Sequence, residues 1–268
     1  MSWSRDLRDD VEALFLLDGS DVVPTIYATG AWSPGAVRGP AVAALFASFL
    51  EPPGATVARM TMDLVAPVPL RRLRLEVIDQ GGGRRVQRST AVLCDGDRAV
   101  ARAEALYVTG AATQDPDASV NRPPCPELGP PPAPLEESPP ARSEPPDYER
   151  HAMARHTRQG PGEAFHGWFS LLMPVFTERP ISGFQCAAAA AYYSSGGTAT
   201  VLPQKEWSYK NLDLTVSLTR RPVGDWIGLV AERSTLGDQG VGVAASVLHD
   251  VQGPIGRGVV TQFLEQLH

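Results

Sequence analysis

A glutamine set in an apolar strand pattern is the first residue of this sequence that calls for a chemical reason. Gln262 stands in Gly-Val-Val-Thr-Gln-Phe-Leu, beside Val259, Val260 and Phe263. Turned inward, its carboxamide costs free energy unless it is paired. Turned outward, it is the polar member of an alternating strand. Asn211 and Asp213, in Asn-Leu-Asp-Leu-Thr-Val, lie two apart in another strand pattern and are expected to share a face. Asp213 is then either a structural carboxylate tying the strand to a helix start or a base able to take a proton. Tyr192, Tyr193 and Ser194 follow one another on a helical pattern, about 100° apart. They suit core and rim packing, with Tyr192 also placed to donate a hydrogen bond. Other chemistries find no support. His151, His156, His166, His249 and His268 lack metal-ligand spacing, as do Cys94, Cys125 and Cys186. There is no Gly-x-Ser-x-Gly elbow, and Gly81-Gly82-Gly83 is a hairpin turn, since no helix follows it. No metal and no cofactor are expected.

The element that must position Tyr192 runs over residues 182–197. Ser182 and Gln185 have the spacing of a capping box, five alanines follow at 187–191, and Gly196-Gly197 supplies a stop. A helix that is small and apolar nearly all round is buried, and its bare surface lets other backbone approach closely. Residues 41–50 read the same way, opened by Gly39-Pro40 and closed by Pro52-Pro53-Gly54. Residues 6–17 also carry a helical spacing, and residues 24–29 a brief strand. Four strand patterns follow each apolar helix. In the first half they are separated by Pro67-Val68-Pro69, the glycine triplet and Asp95-Gly96, a tight hairpin signal. In the second half two strands, joined by Gly160-Pro161-Gly162, precede the alanine helix. Asp63-Leu64 has its counterpart in Asp213-Leu214, and Val92-Leu93-Cys94-Asp95 in Val247-Leu248-His249-Asp250. Between the halves, residues 113–146 hold twelve of the 25 prolines and read as an extended linker. The expected organisation is α+β: residues 1–112, the linker at 113–146, and residues 147–268, with the two units sharing one antiparallel sheet.

At net charge −6 and pI about 5.4, a nucleic-acid backbone is not the expected partner. No apolar run is long enough to span a membrane, and three cysteines without a disulfide framework suit a reduced, cytoplasmic protein.

The segments GAWSPGAVRGPAVAAL, MTMDLVAPVPL and GGGRRVQRSTAVLCDG, with WSYKNLDLTVSLTRRPVGDWIGL and SVLHDVQGPIGRGVVTQ, resemble the tandem, or double, hot-dog thioesterases. The group resembled is acyl-CoA thioesterase II and its actinobacterial relatives. The resemblance implies two central helices wrapped by one continuous sheet. It also implies a site in the second half, where a helix Asp, a polar strand residue and a strand Gln hold water against a thioester carbonyl. Gln262 and Asn211 carry over, with Asp213 as a nearby carboxylate. The helix Asp has no counterpart: its place falls at about Ala191, beside Tyr192, and these two are the expected substrate contacts. Arg84-Arg85 and Arg220-Arg221 could meet the phosphates of coenzyme A. The implied function is an acyl-CoA thioesterase-like enzyme with a degraded water-activating site, taking acyl-CoA or an acyl-carrier-protein thioester. The alternative is a non-hydrolytic hot-dog enzyme (dehydratase, isomerase or cyclase), or a binding protein for a hydrophobic polyketide-like or acyl ligand in specialised metabolism. A homo-oligomer is compatible with either.

Overall fold

The computed structural model describes residues 10–30, 35–110, 128–132, 148–158, 165–199, 201–203, 205–232 and 234–267. The turn expected at residues 160–162, most of the linker and the start of the pattern at 6–17 lie outside them. In the first half the strands are β1 (Phe15–Asp18), β2 (Asp21–Pro24), β3 (Thr56–Leu64), β4 (Leu73–Gly82), β5 (Val86–Asp95) and β6 (Arg98–Val108). In the second they are β7 (Met153–Arg158), β8 (His166–Leu171), β9 (Trp207–Asn211), β10 (Asp213–Leu218), β11 (Ile227–Ala231), β12 (Thr235–Leu236), β13 (Val241–Asp250) and β14 (Gly253–Gln266). Helices α1 (Gly39–Phe49) and α2 (Gly183–Ala191) are the two apolar segments.

All strands join one antiparallel sheet in the order β1-β2-β4-β5-β6-β3-β10-β14-β13-β11-β8-β7, with β9 on β14 and β12 on β13. The halves meet at β3 and β10, where Asp63 faces Asp213 and Thr61 faces Thr215, their hydroxyls 3.3 Å apart. They meet again at the far corner: Leu14 and Phe15 donate their N–H groups to the carbonyls of Pro174 and Val175, each at 2.9 Å. The double hot-dog expectation therefore holds, with α1 and α2 packed together inside one curved sheet.

The alanines explain the closeness of that packing. Ala187 to Ala191 are all fully buried, and α2 begins in a true capping box, with Ser182 Oγ accepting from Gln185 N and Gln185 Oε1 from Ser182 N. Helix and sheet come so near that a Cβ on Gly258 of β14 would stand 3.0 Å from Ala191 Cβ.

Local readings differ in several places, three of them away from the amide site. Residues 15–18 are strand, not helix, because Gly19 at φ +62° turns the chain back into β2. Residues 26–28 form a 3-10 turn instead of a strand, as the Thr25 hydroxyl accepts from Tyr27 N and donates to Ala13 O. Gly196-Gly197 does not stop the helix. The chain continues through a 3-10 turn (Tyr192–Ser195) into a further short helix, α3 (Gly196–Ala199). The glycines serve close approach, since the Phe165 ring fills the place of a Gly196 Cβ and Glu232 O lies 3.2 Å from that of Gly197.

The next-to-last strands of the two halves, β5 and β13, end alike, on an aspartate held by an arginine from an earlier loop: Asp95 by Arg71, and Asp250 by Arg220. Asp250 is buried and also accepts from the N–H groups of Val223 and Gln252, both at 2.8 Å. Burial raises its carboxyl pKa, but Arg220 and those amides outweigh it and hold the group below the usual range.

Two outcomes follow. Ala188→Leu or Ala189→Leu should cost about 1–3 kcal/mol by overpacking, read from urea midpoints. Asp250→Asn should cost about 1–3 kcal/mol at neutral pH. Because the folded pKa is depressed, the wild-type advantage should persist above the unfolded-state value near ~4 and close as pH falls through the folded one.

Candidate functional site

Gln262 is 0 % exposed and faces the helix, so the inward reading holds, and the cost of burial is met by partners on both ends of its amide. Its Oε1 accepts from the Thr198 hydroxyl at 2.5 Å, and its Nε2 donates to Asn211 Oδ1 at 3.1 Å. Thr198 in turn lies 3.1 Å from the Ser234 hydroxyl. Asn211 Nδ2 donates to Tyr192 O at 3.0 Å and reaches Ser195 Oγ at 3.4 Å. The turn after Ala191 makes this possible, since it carries Tyr192, Ser195 and Thr198 onto β9 and β14. Gln262 Nε2 has a second N–H for which the described residues show no partner.

Asn211 and Asp213 do not share a face. The strand expected as one piece breaks at Leu212, whose N–H donates to Thr261 O at 2.8 Å. Inward positions are even in β10, where Leu214 and Val216 are fully buried, yet Asn211 in β9 reaches the helix turn. An irregular residue of this kind reverses the alternation. Asp213 instead caps the break, with Oδ1 accepting from Thr261 N at 2.6 Å. That bond is what a structural carboxylate would make.

Ala191 also stands apart from the amide pair. Its side chain packs on Gly258, and its carbonyl accepts from Ser194 Oγ at 2.7 Å, while Ser194 pairs with Ser246 at 2.6 Å. The helix residue whose side chain reaches Asn211 is Ser195, one turn later. Ser195, Thr198 and Ser234 were not among the residues singled out from sequence. The spacing of Ser195 and Thr198, i and i+3, places them on one helix face and is the signal that could have found two of them.

Tyr192 links this site to a second cluster. Its ring packs against Gly39 at the start of α1, leaving no room there for a Cβ. Burial pushes its phenol up to about 12 against the opposing influence of Arg38 and the Asn211 side chain, so it is a donor at neutral pH. Beside it Glu149 accepts from Arg38 Nε and Nη2 at 3.1 and 2.6 Å and from Tyr193 Oη at 3.2 Å, and forms an ion pair with Arg155 at 2.9 Å. Arg155 also lies over the Tyr193 ring, and the fully buried Tyr148 hydroxyl has no partner among the described residues. Glu149 is thus already balanced by two guanidinium groups. Cys186, buried on α2, has its thiol pushed up to about 12 by burial, which makes it a poor nucleophile. Among the described residues no His, Cys, Asp and Glu group could hold a metal ion.

A curved sheet around two small-residue helices, with a carboxamide pair beyond the end of the second helix, defines a double hot-dog protein. A family profile of the acyl-CoA thioesterase C-terminal domain matches residues 121–260, more than half of the chain, and the chain belongs to that family. Solved structures agree in fold. A tesB protein of Mycobacterium avium subsp. paratuberculosis is 15% identical, with TM-score 0.68, covering 94% of this chain and 95% of its own. A hot-dog protein of unknown function from Alicyclobacillus acidocaldarius is 15% identical, with TM-score 0.65 and 97% of both chains covered. The acyl-CoA thioesterase II TesB2 of Mycobacterium marinum is 14% identical, with TM-score 0.57, covering 85% of this chain and 87% of its own. No curated protein sequence matches the chain.

If Gln262 and Thr198 form one buried network, Gln262→Leu should cost about 1–3 kcal/mol by stranding Thr198 and Asn211. A double-mutant cycle with Thr198→Val should then show non-additivity of about 0.5–3 kcal/mol. Additive losses in chemical denaturation would show the two groups to be independent.

Proposed function

We propose that this protein binds an acyl thioester at the Gln262–Asn211 pair and hydrolyses it slowly. The observation that carries the reading is a polar site complete except for its acid: two carboxamides fixed by hydrogen bonds, with a serine where a carboxylate would activate water. The second N–H of Gln262 Nε2 and the protonated Tyr192 phenol are the donors for the thioester oxygen, and they stabilise the negative charge that develops on it. Water held by Ser195 adds to the carbonyl carbon, and the tetrahedral adduct collapses by breaking the C–S bond, giving a carboxylic acid and the free thiol. A serine hydroxyl can orient that water, but at neutral pH it does not accept the proton, which must pass to solvent.

The two arginine pairs differ in what holds them. Arg220 and Arg221 are committed, the first to Asp250 and the second to the carbonyl of Ala55, so this pair does not await a phosphate. Arg84 and Arg85, with Thr109 and Gly110, line an open hollow of about 300 Å³. They are candidates for a separate anion site at the Thr56 end of β3, whereas the amide pair adjoins its Leu64 end. The missing carboxylate also supports a second reading, in which the same pair holds an acyl or polyketide-like ligand for a non-hydrolytic reaction or for binding alone.

Free-thiol release from a panel of acyl-CoA substrates separates the two. On the hydrolytic reading Ser195→Asp raises the rate, by up to about 10²–10⁴-fold for a well-placed base, and Gln262→Ala removes what activity there is. Ala191→Asp should give no gain, because that side chain meets Gly258 and not the amide pair. Brisk wild-type hydrolysis unmoved by Ser195→Asp would contradict this account of the base. Binding of a thioester analogue without turnover by either protein would favour the second reading.

A further inference from the structure

The outer face of the second half carries a row of large residues that does not belong to the main core. His156, Trp168, Gly228 and His249 stand opposite one another on β7, β8, β11 and β13. Trp226, two residues before Gly228, packs its ring edge-on to His156 at 5.3 Å. The inward residues of these strands, Phe169, Leu171, Ile227 and Leu229, belong to the core around α1 and α2, whereas the two tryptophans do not. Nevertheless Trp168 is 6 %, Trp226 4 % and His249 6 % exposed. An outward aromatic row on a sheet is buried only where something lies on it.

Leu128, at the head of Leu-Gly-Pro-Pro-Pro (residues 128–132) in the middle of the segment that composition marks as a linker, lies on this row. Gly228 makes a notch in the row. A Cβ there would meet Leu128 Cδ1 at 2.6 Å, Trp168 Cζ3 at 3.0 Å and His249 Cβ at 3.1 Å, so Leu128 occupies the gap between the indole and the imidazole. Gly129, at φ +70°, turns the chain directly after that contact into the three prolines. Aromatic rows are good seats for proline-rich chain, because an extended proline segment has little conformational entropy left to lose.

We infer that this row is a docking seat for a proline-rich segment and that residues 128–132 occupy it in cis, as a strap rather than a free spacer. Leu128 is the anchor and Gly228 its socket. Two polar atoms of the row, Trp168 Nε1 and His249 Nε2, are buried with no hydrogen-bond partner among the described residues.

The test uses the full chain with 5-fluorotryptophan, its resonances assigned through Trp168→Phe and Trp226→Phe. Leu128→Asp removes the anchor and leaves the core untouched. The Trp168 and Trp226 signals should move toward their denatured positions and gain a solvent isotope shift, while the Trp207 signal stays in place. Should Leu128→Asp fail to fold, Leu128→Ala decides with the same readout. Unchanged Trp168 and Trp226 signals overturn the proposal. So does a wild-type signal that depends on protein concentration, since the occupant would then be a second copy.

Discussion

The closeness of α2 to the sheet is the constraint on which the rest depends. Five alanines leave the helix with almost no width, and β14 answers with a glycine where the two surfaces touch. Any larger side chain on either partner would hold the sheet off and disturb what lies one turn further on. There the chain tightens into a 3-10 turn and delivers Tyr192, Ser195 and Thr198 to the strands. The polar site is therefore an extension of the packing, built where the small-residue contact ends.

The two halves share an architecture and differ in what they do with it. At the seam they are nearly equivalent, with Asp63 facing Asp213, and both close a hairpin on an arginine-held aspartate. The equivalence ends at Leu212. The first half runs β3 as one strand from Thr56 to Leu64, with Met60 and Met62 in the core. The second breaks its counterpart by one residue, which turns Asn211 inward and obliges Asp213 to cap the break. One irregular residue separates a purely structural strand from one that presents a carboxamide to Gln262.

Much of this was legible in the sequence. The alanine run, the capping box and the repeated order of elements reflect strong local chemistry and long periodic patterns, and the fold follows from them. Gln262 stood out because a lone polar residue among valines must be explained. What escaped was set by register. Nothing in Asn-Leu-Asp announces a break, so the two-residue rule put Asn211 and Asp213 together when the backbone separates them. Gly196-Gly197 resembles a stop, but close approach by Phe165 and Glu232 requires glycine for another reason, and the helix runs on by one turn. That turn is the distance between Ala191, expected opposite the amide pair, and Ser195, which is found there. The Glu149 cluster had no signal at all, since its partners Arg38, Arg155 and Tyr193 are brought together only by the tertiary fold.

The corner contact between the N-terminal hairpin and the loop after β8 has a consequence for how the molecule comes apart. Leu14 and Phe15 hand their amides to Pro174 and Val175, so the outermost strand of one half is tied to the opposite half. With the seam between β3 and β10, the halves are fastened at two well-separated places and enclose a single pair of helices. Neither half can open alone without exposing the helix of the other. The tandem arrangement should therefore have the cooperativity of one domain and is expected to melt in a single step despite its internal repeat.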